Sequence, residues 1–314
     1  MKIAFLFPGQ GSQSVGMGRA FVRDSAAAAA VWSRADDALG FSLSRLCFEG
    51  PEDELALTAN TQPAILTASM AAAAALSERG ISPDLCAGHS LGEYSALVVT
   101  GALGFEDAVR LVRKRGEFMQ EAVPVGTGAM AALLGLELAA AEQACAEAAQ
   151  GEVVNVANIN SPGQIVIAGH RGAVERAVKA AGALGGKKSV LLPVSAPFHS
   201  ALMKPAADRL AAELERVPAH APRVPVARNV DAGLTTTADD VKPFLVRQVA
   251  SPVRWTDCVQ TLAREGTTAW LEVGPGRVLT GLLKRTVEGA RGHAVEDLEA
   301  LDKASSALAG GASA

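Results

Sequence analysis

A short run, Asp84-Leu85-Cys86-Ala87, leads into Gly88-His89-Ser90-Leu91-Gly92, and residues 91–99 follow with no proline and glycine only at Gly92. Strand, sharp turn and helix, in that order, is the setting that G-x-S-x-G needs to act as a nucleophile elbow. The flanking glycines let strand and helix pass close to the serine, while Ser90 takes a strained backbone that exposes its hydroxyl. Free N–H groups at the start of the helix then face any oxyanion that forms there. A chain with 31 glycines can also reach this spacing by chance. Two readings therefore stand: a catalytic serine, or a coincidental turn.

The 314 residues suffice for one large domain or two moderate ones with a substantial core. With 29 Lys+Arg against 33 Asp+Glu and a net charge of −4, nothing attracts the whole protein to nucleic acid or to an anionic membrane. An anionic partner must meet a local basic patch. Cys47, Cys86, Cys145 and Cys258 lie far apart, with no C-x-x-C pair and no histidine at ligand spacing. They read as buried free thiols in a reducing compartment, and no metal site is expected. The apolar run at 3–7 ends at Pro8-Gly9, too short for a signal-peptide core. The alanine-rich stretch 65–76 is too short and too polar to span a bilayer. A cytoplasmic protein is expected. A chain that starts on a strand and ends in a short tail also suggests a free-standing enzyme.

Along the chain, residues 2–7 read as a buried strand running into Pro8-Gly9-Gln10-Gly11-Ser12-Gln13. A glycine-rich loop at a strand's C-terminal end is where open α/β sheets place ligands, and it is also a plain tight turn. Residues 20–76 are helical in period, broken at Gly40, Gly50-Pro51 and 60–63. After the linker Pro124-Val125-Gly126-Thr127-Gly128 the rhythm changes. Strands are expected at 129–134, 153–158, 164–168 and 189–194, with helices at 137–149 and 173–181. That β-α-β-β-α-β order is a ferredoxin-like unit interrupting a larger domain. Downstream, a strand at 224–230, helices at 239–250 and 255–264, a strand at 268–273 and a helix after Gly274-Pro275-Gly276 are expected. The Ala, Ser and Gly tail beyond Leu301 reads as frayed.

Two side chains add chemistry. In the helix 105–123, Ala108, Leu111, Val112, Phe118, Met119 and Ala122 share one stripe with Arg115 at its centre. A guanidinium on an apolar face costs several kcal/mol unless it meets an anion. It pairs with a structural carboxylate, snorkels to the edge, or waits for a ligand carboxylate that its planar fork suits. His199, in Ser195-Ala196-Pro197-Phe198-His199-Ser200, precedes a helix at 201–217, whose N-terminus disfavours imidazolium and leaves a neutral base. His89 lies inside the serine motif and is read as pointing away from its neighbour.

Gly9-Gln10-Gly11-Ser12-Gln13, Gly88-His89-Ser90-Leu91-Gly92-Glu93, Arg115, Pro197-Phe198-His199-Ser200 and Gln248 occur in order across nearly the whole chain. Together they resemble the malonyl-CoA:acyl carrier protein transacylases, an acyltransferase family. The resemblance implies a hydrolase-like large α/β domain, 1–125 and 197–314, with an inserted ferredoxin-like subdomain, 126–196, and the active site between them. It implies Ser90 as nucleophile, His199 as its base, and the main-chain carbonyl of Gln248 orienting the histidine. The backbone N–H groups of Gln10 and Leu91 would form the oxyanion hole. Arg115 would take the malonyl carboxylate, Asn160 would line the pocket, and Phe198 would leave little room for a 2-methyl branch.

The resemblance further implies transfer of malonyl from malonyl-CoA to the phosphopantetheine thiol of acyl carrier protein through a malonyl-serine, in fatty-acid or polyketide synthesis. No cofactor is expected to be bound, and a monomer is expected. Lys187, Lys188 and Lys204 are candidates for meeting the acidic carrier and the CoA phosphates. Two rivals are a serine esterase or thioesterase, which has no need of Arg115, and a non-catalytic carrier-binding module that keeps the fold.

Overall fold

The computed structural model describes residues 1–194 and 196–311; Ser195 and the tail residues 312–314 lie outside it. Ten strands divide between two sheets. They are β1 (Ile3–Phe7), β2 (Leu85–Gly88), β3 (Gly128–Leu134), β4 (Val154–Ser161), β5 (Gln164–His170), β6 (Lys188–Leu191), β7 (Val226–Ala227), β8 (Leu234–Thr235), β9 (Ala269–Val273) and β10 (Gly292–Val295). The larger sheet runs β10-β9-β1-β2-β7-β8, parallel except for the antiparallel edge strand β8. β1, β2 and β9 are apolar runs because both faces are covered, apart from Glu272 on β9. The fold is α/β, as expected.

The second sheet runs β4-β5-β3-β6 with antiparallel pairing throughout. With the helices Leu138–Ala149 and Arg171–Ala183 it has the connectivity of a ferredoxin-like unit. Alanines on those helices, among them Ala141, Ala144, Ala173 and Ala177, seat them closely on the sheet. Val253 joins the two parts: its N–H donates to Ala157 and its carbonyl accepts from Ile159. β4 therefore lies against the segment that follows helix Ala238–Val249.

Two helices behind the large sheet position the site. Thr58–Glu78 is buried on almost every side, and Phe105–Glu121 packs along it. A Cβ at Gly116 would come 2.6 Å from the Thr58 carbonyl, so only glycine allows this approach. The close crossing brings Arg115 beside Gln62.

Three expectations need correction. The strand expected at 189–194 stops at Leu191, because residues 192–194 leave the sheet to line the cleft described below. The strand expected at 224–230 is only two residues long, and Asn229 beyond it is free for side-chain work. The tail read as frayed is a helix, Leu298–Gly311, which buries Leu301, Ala304 and Leu308. Their spacing puts them on one face, which outweighs the poor composition. No helix among the described residues is long and apolar enough to cross a membrane.

Candidate active site

Parallel α/β sheets open ligand sites beyond the carboxyl ends of their strands. β1 ends at Phe7 and β2 at Gly88, and the loops that follow them touch: a Cβ at Gly9 would lie 2.5 Å from the His89 carbonyl. Helix Gly92–Val99 starts equally close, since a Cβ at Gly92 would sit 2.1 Å from the Phe7 carbonyl. Gln10 and Leu91 are thereby brought to one cleft of about 380 Å³. Ser90, Arg115, Phe198 and His199 line the same cleft, and Met130, Asn158 and Leu192 form its wall on the small-sheet side.

Ser90 and His199 both have left-handed backbones, at φ 52° and 59°, two of only four such non-glycine residues described. This strain turns their side chains toward each other. Ser90 Oγ lies 2.7 Å from His199 Nε2, and His199 Nδ1 lies 2.9 Å from the Gln248 carbonyl. A carbonyl only accepts, so Nδ1 carries the proton and Nε2 presents a lone pair to the serine hydroxyl. Burial, aided by the nearby Arg115 charge, pushes the His199 pKa down to about 3. The cause differs from that expected: a short 3₁₀ turn, Ala201–Met203, separates His199 from helix Lys204–Glu215.

Arg115 is 2 % exposed and forms none of the ion pairs found among the described residues. Its Nη1 donates to Gln62 Oε1 at 2.7 Å, while Nη2 donates to Gln248 Oε1 at 2.9 Å and to Ser90 Oγ at 3.1 Å. Nε has no acceptor. The guanidinium lies 5.4 Å from the Tyr94 ring centroid, and desolvation lowers its pKa. Of the three fates open to it, a structural ion pair and an escape to the surface are excluded. A cation held by neutral oxygens beside the Ser90 hydroxyl is suited to a ligand carboxylate.

Gln248 does more than its main chain suggests. Its Nε2 donates to Ser90 O at 2.9 Å and to Glu93 Oε2 at 2.8 Å. Asn229, which sequence reasoning missed, accepts from Ser90 N at 2.7 Å and donates to Gly88 O at 2.8 Å. The available signal was its place at the C-terminal end of an expected strand.

His89 lines the cleft beside Ser90, with its ring tilted on Trp255 at 5.5 Å and Nε2 2.8 Å from Asn160 Oδ1. Asn160, expected on the pocket wall, meets this cleft-lining histidine; the register shift between Ile159 and Ser161 falls at its position, and Asn158 lines the cleft. Phe198 is on the wall as expected, 8 % exposed. Gln10 lines the cleft while its side chain donates to Thr58 Oγ1 at 3.2 Å. Lys187, Lys188 and Lys204 are exposed, and Lys204 pairs with Asp208. Among the described residues no cluster of His, Cys, Asp and Glu is placed to hold a metal ion.

The acyl transferase domain family matches residues 4–310. The malonyl CoA-acyl carrier protein transacylase of Escherichia coli K12 is 52% identical over 305 residues, covering 96% of this chain and 97% of that one. The crystal structure of an acyl carrier protein S-malonyltransferase from Vibrio cholerae superposes with a TM-score of 0.95 at 49% identity, covering 96% of this chain and 99% of that one. A solved complex described as a type II PKS acyl-carrier protein with its malonyl-transacylase superposes with a TM-score of 0.95 at 48% identity, covering 98% and 100%. The chain belongs to the acyl transferase family and, within it, to the malonyl CoA-acyl carrier protein transacylases.

Proposed function

We propose that this chain transfers a malonyl group from malonyl-CoA to the phosphopantetheine thiol of acyl carrier protein through a malonyl ester on Ser90. The observation that carries the reading is Arg115, a buried cation that forms no ion pair among the described residues, 3.1 Å from the serine hydroxyl. In the first step His199 Nε2 takes the Ser90 proton as Oγ attacks the thioester carbonyl. The N–H groups of Gln10 and Leu91 receive the oxyanion, and Arg115 holds the malonyl carboxylate so that the carbonyl lies between them. The C–S bond then breaks, and the imidazolium returns its proton to the leaving CoA thiolate. In the second step His199 deprotonates the carrier's thiol, which attacks the malonyl-serine ester; Ser90 leaves as its alkoxide and regains the proton.

Phe198 narrows the space at C2 of the acyl group. The same reading divides the chain into a large domain, 1–125 and 197–314, and an inserted subdomain, 126–196, because the cleft takes its walls from both sheets. The enzyme works as a cytoplasmic monomer with no bound cofactor. Lys187, just before β6, and Lys188, its first residue, are exposed and favour an acidic carrier. The carrier complex solved for a relative supports that partner.

Labelled malonyl-CoA tests the proposal. A malonyl adduct on the Ser90 peptide that empties onto a pantetheine thiol is expected. Rapid release of free malonate with little transfer would make the protein a hydrolase, and the absence of any adduct under substrate excess would make it a binding module.

A further inference from the structure

The hydrogen bonds that hold Ser90 and His199 in their left-handed conformations converge on one group outside the dyad. Glu93, one residue into helix Gly92–Val99, is 3 % exposed. Its Oε2 accepts from Gln248 Nε2 at 2.8 Å and from the Asn229 backbone N–H at 3.1 Å. Asn229 in turn grips the elbow on both sides of the nucleophile, accepting from Ser90 N and donating to Gly88 O. Gln248 holds Ser90 O with its side chain and His199 Nδ1 with its carbonyl. That carbonyl lies in the last turn of helix Ala238–Val249, where it also accepts from the Ala250 and Ser251 N–H groups that follow the helix. One carboxyl oxygen therefore fixes both the residue that clamps the nucleophile's peptide and the residue that orients the base.

We propose that Glu93 is a positioning residue for acyl transfer, setting Ser90 through Asn229 and His199 through Gln248. This rests on the reading of Ser90 and His199 as nucleophile and base. What the geometry asks of Glu93 is an acceptor at Oε2, since both groups that meet that oxygen are donors. Glutamine supplies such an acceptor at the same place. Leucine fills the volume and leaves two buried donors unsatisfied, which loosens both arms together.

The test compares Glu93→Leu, Glu93→Gln and Asn229→Ala in the full chain. The probes are malonyl-CoA turnover and the rate at which diisopropyl fluorophosphate labels Ser90, which reads the dyad without any malonyl group. Glu93→Leu is expected to lower kcat and labelling together by about 100-fold while KM for malonyl-CoA moves less than about threefold. Glu93→Gln should recover both rates to within about tenfold of wild type, and Asn229→Ala, which cuts only the Ser90 arm, should slow labelling by about tenfold or more. A folded Glu93→Leu protein with labelling and kcat near wild type would overturn the proposal, as would a loss confined to KM or a Glu93→Gln protein as slow as Glu93→Leu. Should Glu93→Leu not fold, wild-type labelling in Asn229→Ala overturns it. If wild type takes no malonyl at Ser90, the proposed function fails, yet the labelling rates still decide the role of Glu93.

Discussion

Glu93 and Glu272 are the two glutamates buried among the described residues, and they flank β1 from opposite sides, one just beyond β2 and one on β9. Both have their pKa raised by burial, Glu93 to about 7. Their donors differ. Glu272 accepts from the N–H groups of Leu279 and Thr280, at 2.9 and 2.7 Å, and so caps helix Val278–Thr286 from the neighbouring strand. Glu93 accepts from Asn229 and Gln248, which touch the dyad. A carboxyl at the same depth beside the same sheet thus ends its influence in the helix it caps in one case and reaches the Ser90–His199 pair in the other. Burial does not mark a residue as functional; the identity of its donors does.

The largest effect that could break this comparison lies at the elbow itself. Ser90→Ala is expected to lower malonyl transfer by roughly 10⁵-fold while the Glu272 cap stays intact, which steady-state turnover and thermal unfolding would check together. At the other carboxyl the pattern should reverse. Glu272→Ala leaves two helix N–H groups without their acceptors, so unfolding free energy should fall by about 2–4 kcal/mol with kcat retained, as measured by urea denaturation and turnover below the unfolding range. A large kcat loss in that folded variant would erase the distinction between the two sites.

A smaller effect separates the charges. The pKa of His199 is depressed, so its neutral form adds stability that is present above about 6.5 and is lost as pH falls toward 3. That of Glu93, which faces Arg115 and Arg228, is raised, so its protonated form adds stability present below about 4.5 and lost as pH rises through 7. The two slopes oppose between about 4.5 and 6.5. Glu93→Gln should remove one of them, and its unfolding free energy should then rise with pH more steeply than that of wild type. Urea midpoints across that range would show it; parallel profiles would contradict the assignment. The smallest expected effect is on the acid limb of kcat/KM: with His199 already neutral at pH 5, lowering the pH from 8 to 5 should cost little activity through this group.

What was legible in the sequence was local. The elbow, the apolar stripe around Arg115 and each single element of the β-α-β-β-α-β order depend on residues within about a dozen positions of one another, where periodicity and turn chemistry speak directly. The residues that hold the elbow are distant. Asn229 is 139 positions from Ser90 and 136 from Glu93, and no pattern around it differs from a strand end. Glu93 was visible inside the motif but reads as an ordinary acidic first-turn residue, because its two donors arrive from elsewhere in the chain. The hydrogen bond between Asn160 and His89 was not legible either, because the two residues are 71 positions apart. The final helix is the opposite case: Leu301, Ala304 and Leu308 carry helical spacing within an Ala, Ser and Gly composition that by itself favours a frayed tail.

The central claim is that Arg115 awaits the carboxylate of the acyl group. Its most direct test is the ratio of kcat/KM for malonyl-CoA to that for acetyl-CoA in the wild type and in Arg115→Ala. The account predicts that the ratio falls by about 10³-fold, chiefly through loss of the malonyl reaction. A folded Arg115→Ala protein that keeps the wild-type ratio would contradict it.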